Sequence, residues 1–263
     1  MADQLLTGII FAAIVSAFSY LGRLLTLSGT AVQFILGTLL FGFGSWQWTV
    51  PMVTFFVLSS AISHTGNPRK SSANSFFQKS SQRDAGQVAA NGGVAGFILL
   101  LWLLMRDPNL YVAYLGAVAA ATADTWETEI GTLSPTRPVL ITTLKPVEAG
   151  RSGGVTALGV VAGLSGALSI YLSGLFWLKD MWVSFVAVIL GGFAGSVLDS
   201  FIGATMQAQF RCVPCGKLTE RRIHCGQVGE LTQGRKNIGN DFVNLFAIIF
   251  GAAVSYAVVT LLR

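Results

Sequence analysis

Eight long apolar runs constrain this chain more than any motif in it. They lie at 5–22, 28–45, 47–62, 86–105, 110–123, 153–177, 182–204 and 241–262. A helix of about 20 apolar residues crosses a hydrocarbon core of about 30 Å. Inside that core each backbone N–H and C=O must be paired, and a helix pairs them within one segment. Composition agrees: 11% of the 263 residues are charged and the mean hydropathy is +0.64, whereas a soluble domain carries about 25% charged residues. The 30 glycines suit helices that pack closely in a membrane. The expected fold is an all-α polytopic transmembrane bundle of about seven or eight spans, one integral-membrane domain over 1–263. "GFGSWQWTVP" between the second and third runs reads as a tight hairpin or a partly re-entrant unit. "MADQLL" has Asp3 and no basic n-region, so the first run is expected to be a retained span.

The charges divide the loops into two sets. Loop 63–85 holds Arg69, Lys70, Lys79 and Arg83; loop 124–152 holds Arg137, Lys145 and Arg151; loop 205–240 holds Arg211, Lys217, Arg221, Arg222, Arg235 and Lys236. With eight spans these loops and Arg23 share one face, and Arg106, Lys179 and Arg263 fall on the other. The positive-inside rule makes the basic face cytoplasmic and puts both termini outside. That face also carries the long loops and the acidic and amide residues, as an active site facing the cytoplasm requires and a topology signal alone does not.

Several stretches there carry chemistry. In "ADTWETEIG" Asp124 and Glu127 are three residues apart and share a helical face. Two such carboxylates repel, and an oxygen-rich site suits Mg²⁺; Glu129 lies off that face and joins them if the helix ends near Thr128. Interfacial caps paired with Arg or Lys are the alternative. In "KPVEAGRSGGVTALG" Lys145 and Arg151 bracket Glu148, and Gly150, Ser152, Gly153 and Gly154 then open an apolar helix. A helix N-terminus with Arg beside it binds phosphate, although the GxxxxGK[ST] pattern is absent; a packing turn is the plainer alternative. In "RDAGQVAANGG" Arg83, Gln87 and Asn91 recur four apart on one face. Asp199 lies inside the seventh run, where a carboxylate marks a functional site by default. "NIGNDFVNLF" places Asn237, Asn240, Asp241 and Asn244 at the entry to the last span, suited to Mg²⁺ or nucleotide binding, or to a helix start capped by Asn240. "CVPCGKLTERRIHC", in loop 205–240 inserted before the last span, supplies Cys212, Cys215, His224 and Cys225, a Cys₃His set suited to structural zinc.

"QVAANGG", "ADTWETEIGTLS", "TTLKPVEAGRSGGVTALG", "AGSVLDSFIGATMQ" and "NDFVNLF", in this order, resemble the integral-membrane phytyl-phosphate kinases of phytol salvage and vitamin E synthesis. The resemblance extends over about residues 60 to 262. The cysteine segment looks like an insertion found in only some members. The resemblance implies a bacterial inner membrane or a thylakoid or plastid-type membrane. It implies transfer of the γ-phosphate of CTP or another nucleoside triphosphate, such as ATP, to phytyl phosphate, with no nucleic acid involved.

Phosphoryl transfer depends on positioning and charge neutralisation. Asp124, Glu127 and Glu129 are accordingly assigned to Mg²⁺, with Asp199 and Asp241 as a second acidic group. Lys145, Arg151, Gly153, Gly154 and Asn240 are assigned to nucleotide phosphates, and Arg83 and Lys79 to the lipid phosphate. Asn91 orients a ligand or a metal-bound water. Asp124, Glu127, Asp199 and Arg151 form the expected catalytic group. A kinase of the free alcohol, a CTP-dependent cytidylyltransferase of a lipid phosphate, and a small-solute transporter are the competing readings.

Overall fold

The computed structural model describes residues 2–64 and 82–263. Helices dominate: α1 (Ala2–Leu21), α2 (Leu27–Ser63), α3 (Ala85–Met105), α4 (Asn109–Gly131), α5 (Ala157–Gly174), α6 (Met181–Thr205) and α7 (Asn240–Leu261). Six helices, all but α4, are long and apolar enough to cross a membrane, α5 together with a short 3₁₀ turn at Leu175–Trp177. This is the expected all-α membrane bundle.

The 37-residue α2 contains two of the expected spans. Its backbone leaves the helical region at Ser45, where φ is 63° and ψ is −166°. Leu25, just before α2, pairs with Arg83, and the Arg83 guanidinium lies 5.6 Å from the centre of the Phe55 ring. A straight helix would hold residues 25 and 55 about 45 Å apart. The chain therefore folds back at Ser45, as the tight-hairpin reading expects.

The centre of the bundle is α4. Every residue from Leu110 to Ala123 is buried, as in a helix that is apolar all round. It packs against α2, α3, α5, α6 and α7. Small residues set the spacing. A Cβ on Gly195 of α6 would lie 2.5 Å from Ala120 Cβ and 3.0 Å from Ala247 O, and one on Gly192 would lie 2.7 Å from Ala167 Cβ. Close backbone approach of this kind holds membrane helices together where the surrounding lipid is as apolar as the side chains.

The two ends of the bundle differ. At one end Arg83 N donates to Leu24 O and Thr26 N to Arg83 O, while Ser63 Oγ donates to Glu129 at 2.7 Å. The loops 132–156 and 206–239 meet at the same end. The first carries the antiparallel pair β1 (Val139–Leu140) and β2 (Gly154–Val155). The second is folded rather than a plain loop. In it β3 (Gln209–Arg211) pairs with β4 (Leu218–Thr219) and β7 (Glu230–Gln233), and a hairpin joins β5 (Ile223–His224) to β6 (Gln227–Val228). At the opposite end Trp48, Trp102, Tyr111 and Tyr114 pack together inside the bundle, while Trp46, Phe176 and Trp182 are exposed, as aromatic residues of a belt among lipid headgroups are.

The packing predicts opposite outcomes for two glycines. Gly195→Leu should destabilise the bundle by about 1–3 kcal/mol or more, because the helices must separate to admit the side chain. Gly93→Ala should not, since among the described residues nothing lies within 4 Å of its added carbon. Thermal unfolding of both variants in one detergent checks this.

Candidate functional site

The helix expected over 110–123 continues to Gly131, which changes the setting of the acidic stretch. Asp124 and Glu127 stand on the last two turns of α4, half-buried between α5 and α6 rather than in a loop. Gly159 and Gly163 of α5 let it approach: a Cβ at either would press on Glu127 or on the backbone of α4. From α6, Ser196 Oγ donates to Glu127 Oε2, and Asp199 and Asp124 share a side-chain hydrogen bond. From α7, the Asn244 amide, with its nitrogen facing the acid, donates to Asp199 Oδ2 at 3.0 Å and to Asn240 O at 3.2 Å. Two carboxyl groups in hydrogen-bond contact need a proton or a cation between them.

One pocket, partly open to solvent, gathers these groups. Its walls include Asp124, Glu127, Asp199, Arg151, Gly153, Gly154 and Asn240. Motifs more than a hundred residues apart in the chain thus share one cavity. The Arg151 NH₂ group donates to Gln233 Oε1 at 3.3 Å, while its Nε is buried and finds no acceptor among the described residues. Gln233 is itself fixed, its amide donating to the carbonyls of Ala204 and Gly203 at 2.9 and 3.3 Å.

Glu220, Gln207 and Gln233 belong to the site and are not evident in the sequence. Glu220 and Gln207 line the pocket, and Glu220 accepts from Ser152 Oγ at 2.6 Å. The Glu220 charge acts on Asp199. In "LTERR" an acid beside two arginines reads as a solvated surface, and no periodicity marks it. The fold of segment 206–239 brings it inward.

Several expected assignments are corrected. Gly153 and Gly154 do not open a helix. They lead into β2, and Thr156 caps α5 by accepting from Gly159 N. Gly154 N donates to Arg151 O, and Gly153, at φ +76°, rests on Ala204 and Ser200. The turn lets the chain lie against α6 and is not an open anion cradle. Lys145 is exposed at the far end of its loop, outside the pocket. Asn240 is the first residue of α7, with Gly239 as its cap, and Asp241 beside it does not line the pocket. Lys79 lies outside the described residues.

Glu129 and Arg83 form a separate group. Glu129 is turned about 140° from Asp124 around the helix. It accepts from Ser63 and interacts with the charge of Arg83. Burial pushes the Arg83 pKa down from the usual arginine value, and Glu129 opposes that shift. The Ser63–Glu129 hydrogen bond ties α2 to α4. Arg83, Gln87 and Asn91 do share a face, but they border a different cavity, lined mainly by apolar residues of α1 and α2 such as Phe11, Leu36, Leu40 and Phe56. The Asn91 amide bonds within its own helix, to Gln87 O at 2.8 Å.

The bundle and its acidic, arginine-bearing pocket define a polytopic membrane protein with a built polar site at one end. Comparison with known proteins places it further. Residues 10–252 match the family described as integral membrane protein DUF92, and the chain belongs to that family. It is 29% identical to Protein PGR of Arabidopsis thaliana over 94% of this chain and 93% of that one. It is 29% identical to an uncharacterized membrane protein of Methanocaldococcus jannaschii over 78% and 84% of the two chains, and 28% identical to one of Synechocystis over 70% and 73%. No solved structure matches the chain.

Clustered carboxylates cost stability unless something neutralises them. Asp199→Asn keeps the shape and the hydrogen bond to Asp124 while removing one of the clustered acids. In chelator-containing buffer it should raise the melting temperature, by an amount equivalent to about 1 kcal/mol. Differential scanning of wild type and variant reads this directly.

Proposed function

We propose that the protein is a membrane-embedded kinase that transfers the γ-phosphate of CTP or ATP to phytyl or another prenyl monophosphate, giving the diphosphate. One observation carries the reading: Arg151, with a buried donor unmatched by any acceptor among the described residues, shares a pocket with Asp124, Glu127, Asp199 and Glu220. Arginine forks onto phosphate oxygens, and carboxylates so placed suit a divalent cation.

The donor set fits Mg²⁺. It consists of oxygen, and Asp124 and Asp199 already touch. These two would hold the ion, with Glu127 at their side steadied by Ser196. When bound, the ion supplies positive charge to the phosphate groups. The rest is done by the chain itself. Arg151 holds phosphate oxygens of the nucleotide, and Gln233 fixes the direction of its guanidinium. Asn244 and Asn240 keep Asp199 in place from α7. The acceptor is a phosphomonoester, whose oxygen is already anionic near neutral pH, so no strong base is required. What the site must do is hold two polyanions in line.

Position supports a substrate with a lipid tail. The pocket lies at the end of the bundle that carries the basic loops, which the positive-inside rule turns to the cytoplasm. Nucleotide enters there from water, and a prenyl tail stays in the bilayer. A free-alcohol kinase would instead need a base for a hydroxyl, and a cytidylyltransferase would release pyrophosphate.

The test uses purified protein in nanodiscs with Mg²⁺, γ-³²P-labelled CTP or ATP, and phytyl or geranylgeranyl monophosphate. Label is expected in a lipid diphosphate. Asp124→Asn should abolish it, and Arg151→Ala should raise the nucleotide KM by about tenfold or more, the equivalent of one lost charged hydrogen bond. Folded protein that labels no prenyl phosphate would refute the kinase reading; pyrophosphate release with CTP would identify the cytidylyltransferase.

A further inference from the structure

The geometry points to a zinc ion bound by Cys212, Cys215, His224 and Cys225, which folds segment 206–239 against the pocket and so holds Gln233 and Glu220 beside Arg151. The ligand atoms of these four residues all lie within 4.8 Å of one another. The two cysteine sulfurs Cys215 Sγ and Cys225 Sγ stand 3.6 and 3.3 Å from His224 Nδ1. Tetrahedral zinc, with Zn–S of about 2.3 Å and Zn–N of about 2.05 Å, sets an S···N edge of about 3.5 Å. All three cysteines are free thiols.

The backbone is shaped for this. Gly216 N donates to Cys212 O at 2.8 Å, closing a turn in which Gly216 takes a φ of +70°. The second pair of ligands sits on the β5–β6 hairpin, whose two-residue loop is Cys225–Gly226, both at positive φ, 52° and 74°. Asparagine or aspartate is the usual first residue of such a loop. A cysteine there accepts local strain, which is the pattern of a residue held for its side chain. This tip also explains how adjacent His and Cys ligands reach one ion: the pleat sends His224 back from its strand while the turn swings Cys225 over it.

The segment needs such a staple. Its strands are two to four residues long, too short to hold without a core or cross-link. Yet two of its residues carry contacts that enter the pocket, Glu220 to Ser152 and Gln233 to Arg151 and α6. A catalytic role for the ion is excluded, because four protein ligands leave no open position.

The metal assignment is independent of the kinase reading and is tested without an activity assay. Full-length protein from zinc-supplemented cells, in nanodiscs, is measured for metal by mass spectrometry. Wild type is expected to hold one zinc per chain and His224→Cys to keep it, as a Cys₄ site would. Cys212→Ser should retain less than about a tenth. Removing the ion with a chelator should speed tryptic cleavage after Lys217, Arg221 and Arg222 about tenfold or more while helical content stays constant. Metal-free wild type, or a disulfide between Cys212 and Cys215 on non-reducing peptide mapping, would overturn the site. Bound zinc whose removal leaves cleavage unchanged would overturn its role as a staple. If Cys212→Ser fails to fold, the wild-type and His224→Cys metal contents decide.

Discussion

The structure depends on one helix surrounded by others. From Leu110 to Ala123 every side chain of α4 faces protein, so its neighbours must approach on all sides. They do so on glycine and alanine, with Gly192 and Gly195 of α6 against α5, α4 and α7. Once that packing is set, the next turns of α4 carry Asp124 and Glu127 into space already enclosed by α5 and α6. The acids are half-buried because the helix does not end where its apolar run ends. Ser196 and Asn244 follow from the same constraint: they are the hydrogen-bond donors that neighbouring helices supply to carboxylates they have partly removed from water.

The loop side of the pocket obeys a different logic. Arg151 and Ser152 come from a short irregular segment with little core of its own, and they are held by Gln233 and Glu220 from the folded segment 206–239. Helix packing thus positions the acids, and a small β structure positions the cation. The proposed phosphoryl transfer would require both to be fixed before substrate arrives, since reorienting charged groups at the moment of reaction would cost what preorganisation saves.

Much of this was legible from the chain. Apolar length gave the bundle, and the turn at Ser45 followed from two runs separated by "GFGSWQWTVP". Carboxylates three apart in "ADTWETEIG" and Asp199 inside an apolar run point to a site because polar residues in a membrane helix are rare enough to carry information, and Arg151 among glycines adds a cation beside them. Where charged residues are ordinary, that signal fails. Glu220 lies among arginines in a hydrophilic segment and gave no sign of its inward position. Glu129 and Arg83 mislead for the opposite reason: both are polar at a membrane edge, yet Glu129 accepts from Ser63 of α2 and Arg83 lies beside Phe55, away from the acidic pocket. Gly153 and Gly154 looked like an anion cradle, since close packing and phosphate binding both call for glycine and spacing cannot separate them.

The aromatic belt at the far end fixes a depth. Trp182 opens α6 and Asp199 lies seventeen residues further along it, a rise of about 26 Å. An indole held among the headgroups of one leaflet would set the carboxylate just inside the opposite rim of a hydrocarbon core about 30 Å thick. The belt therefore acts as a gauge. It ties the acids' exposure to water to the thickness of the bilayer they occupy.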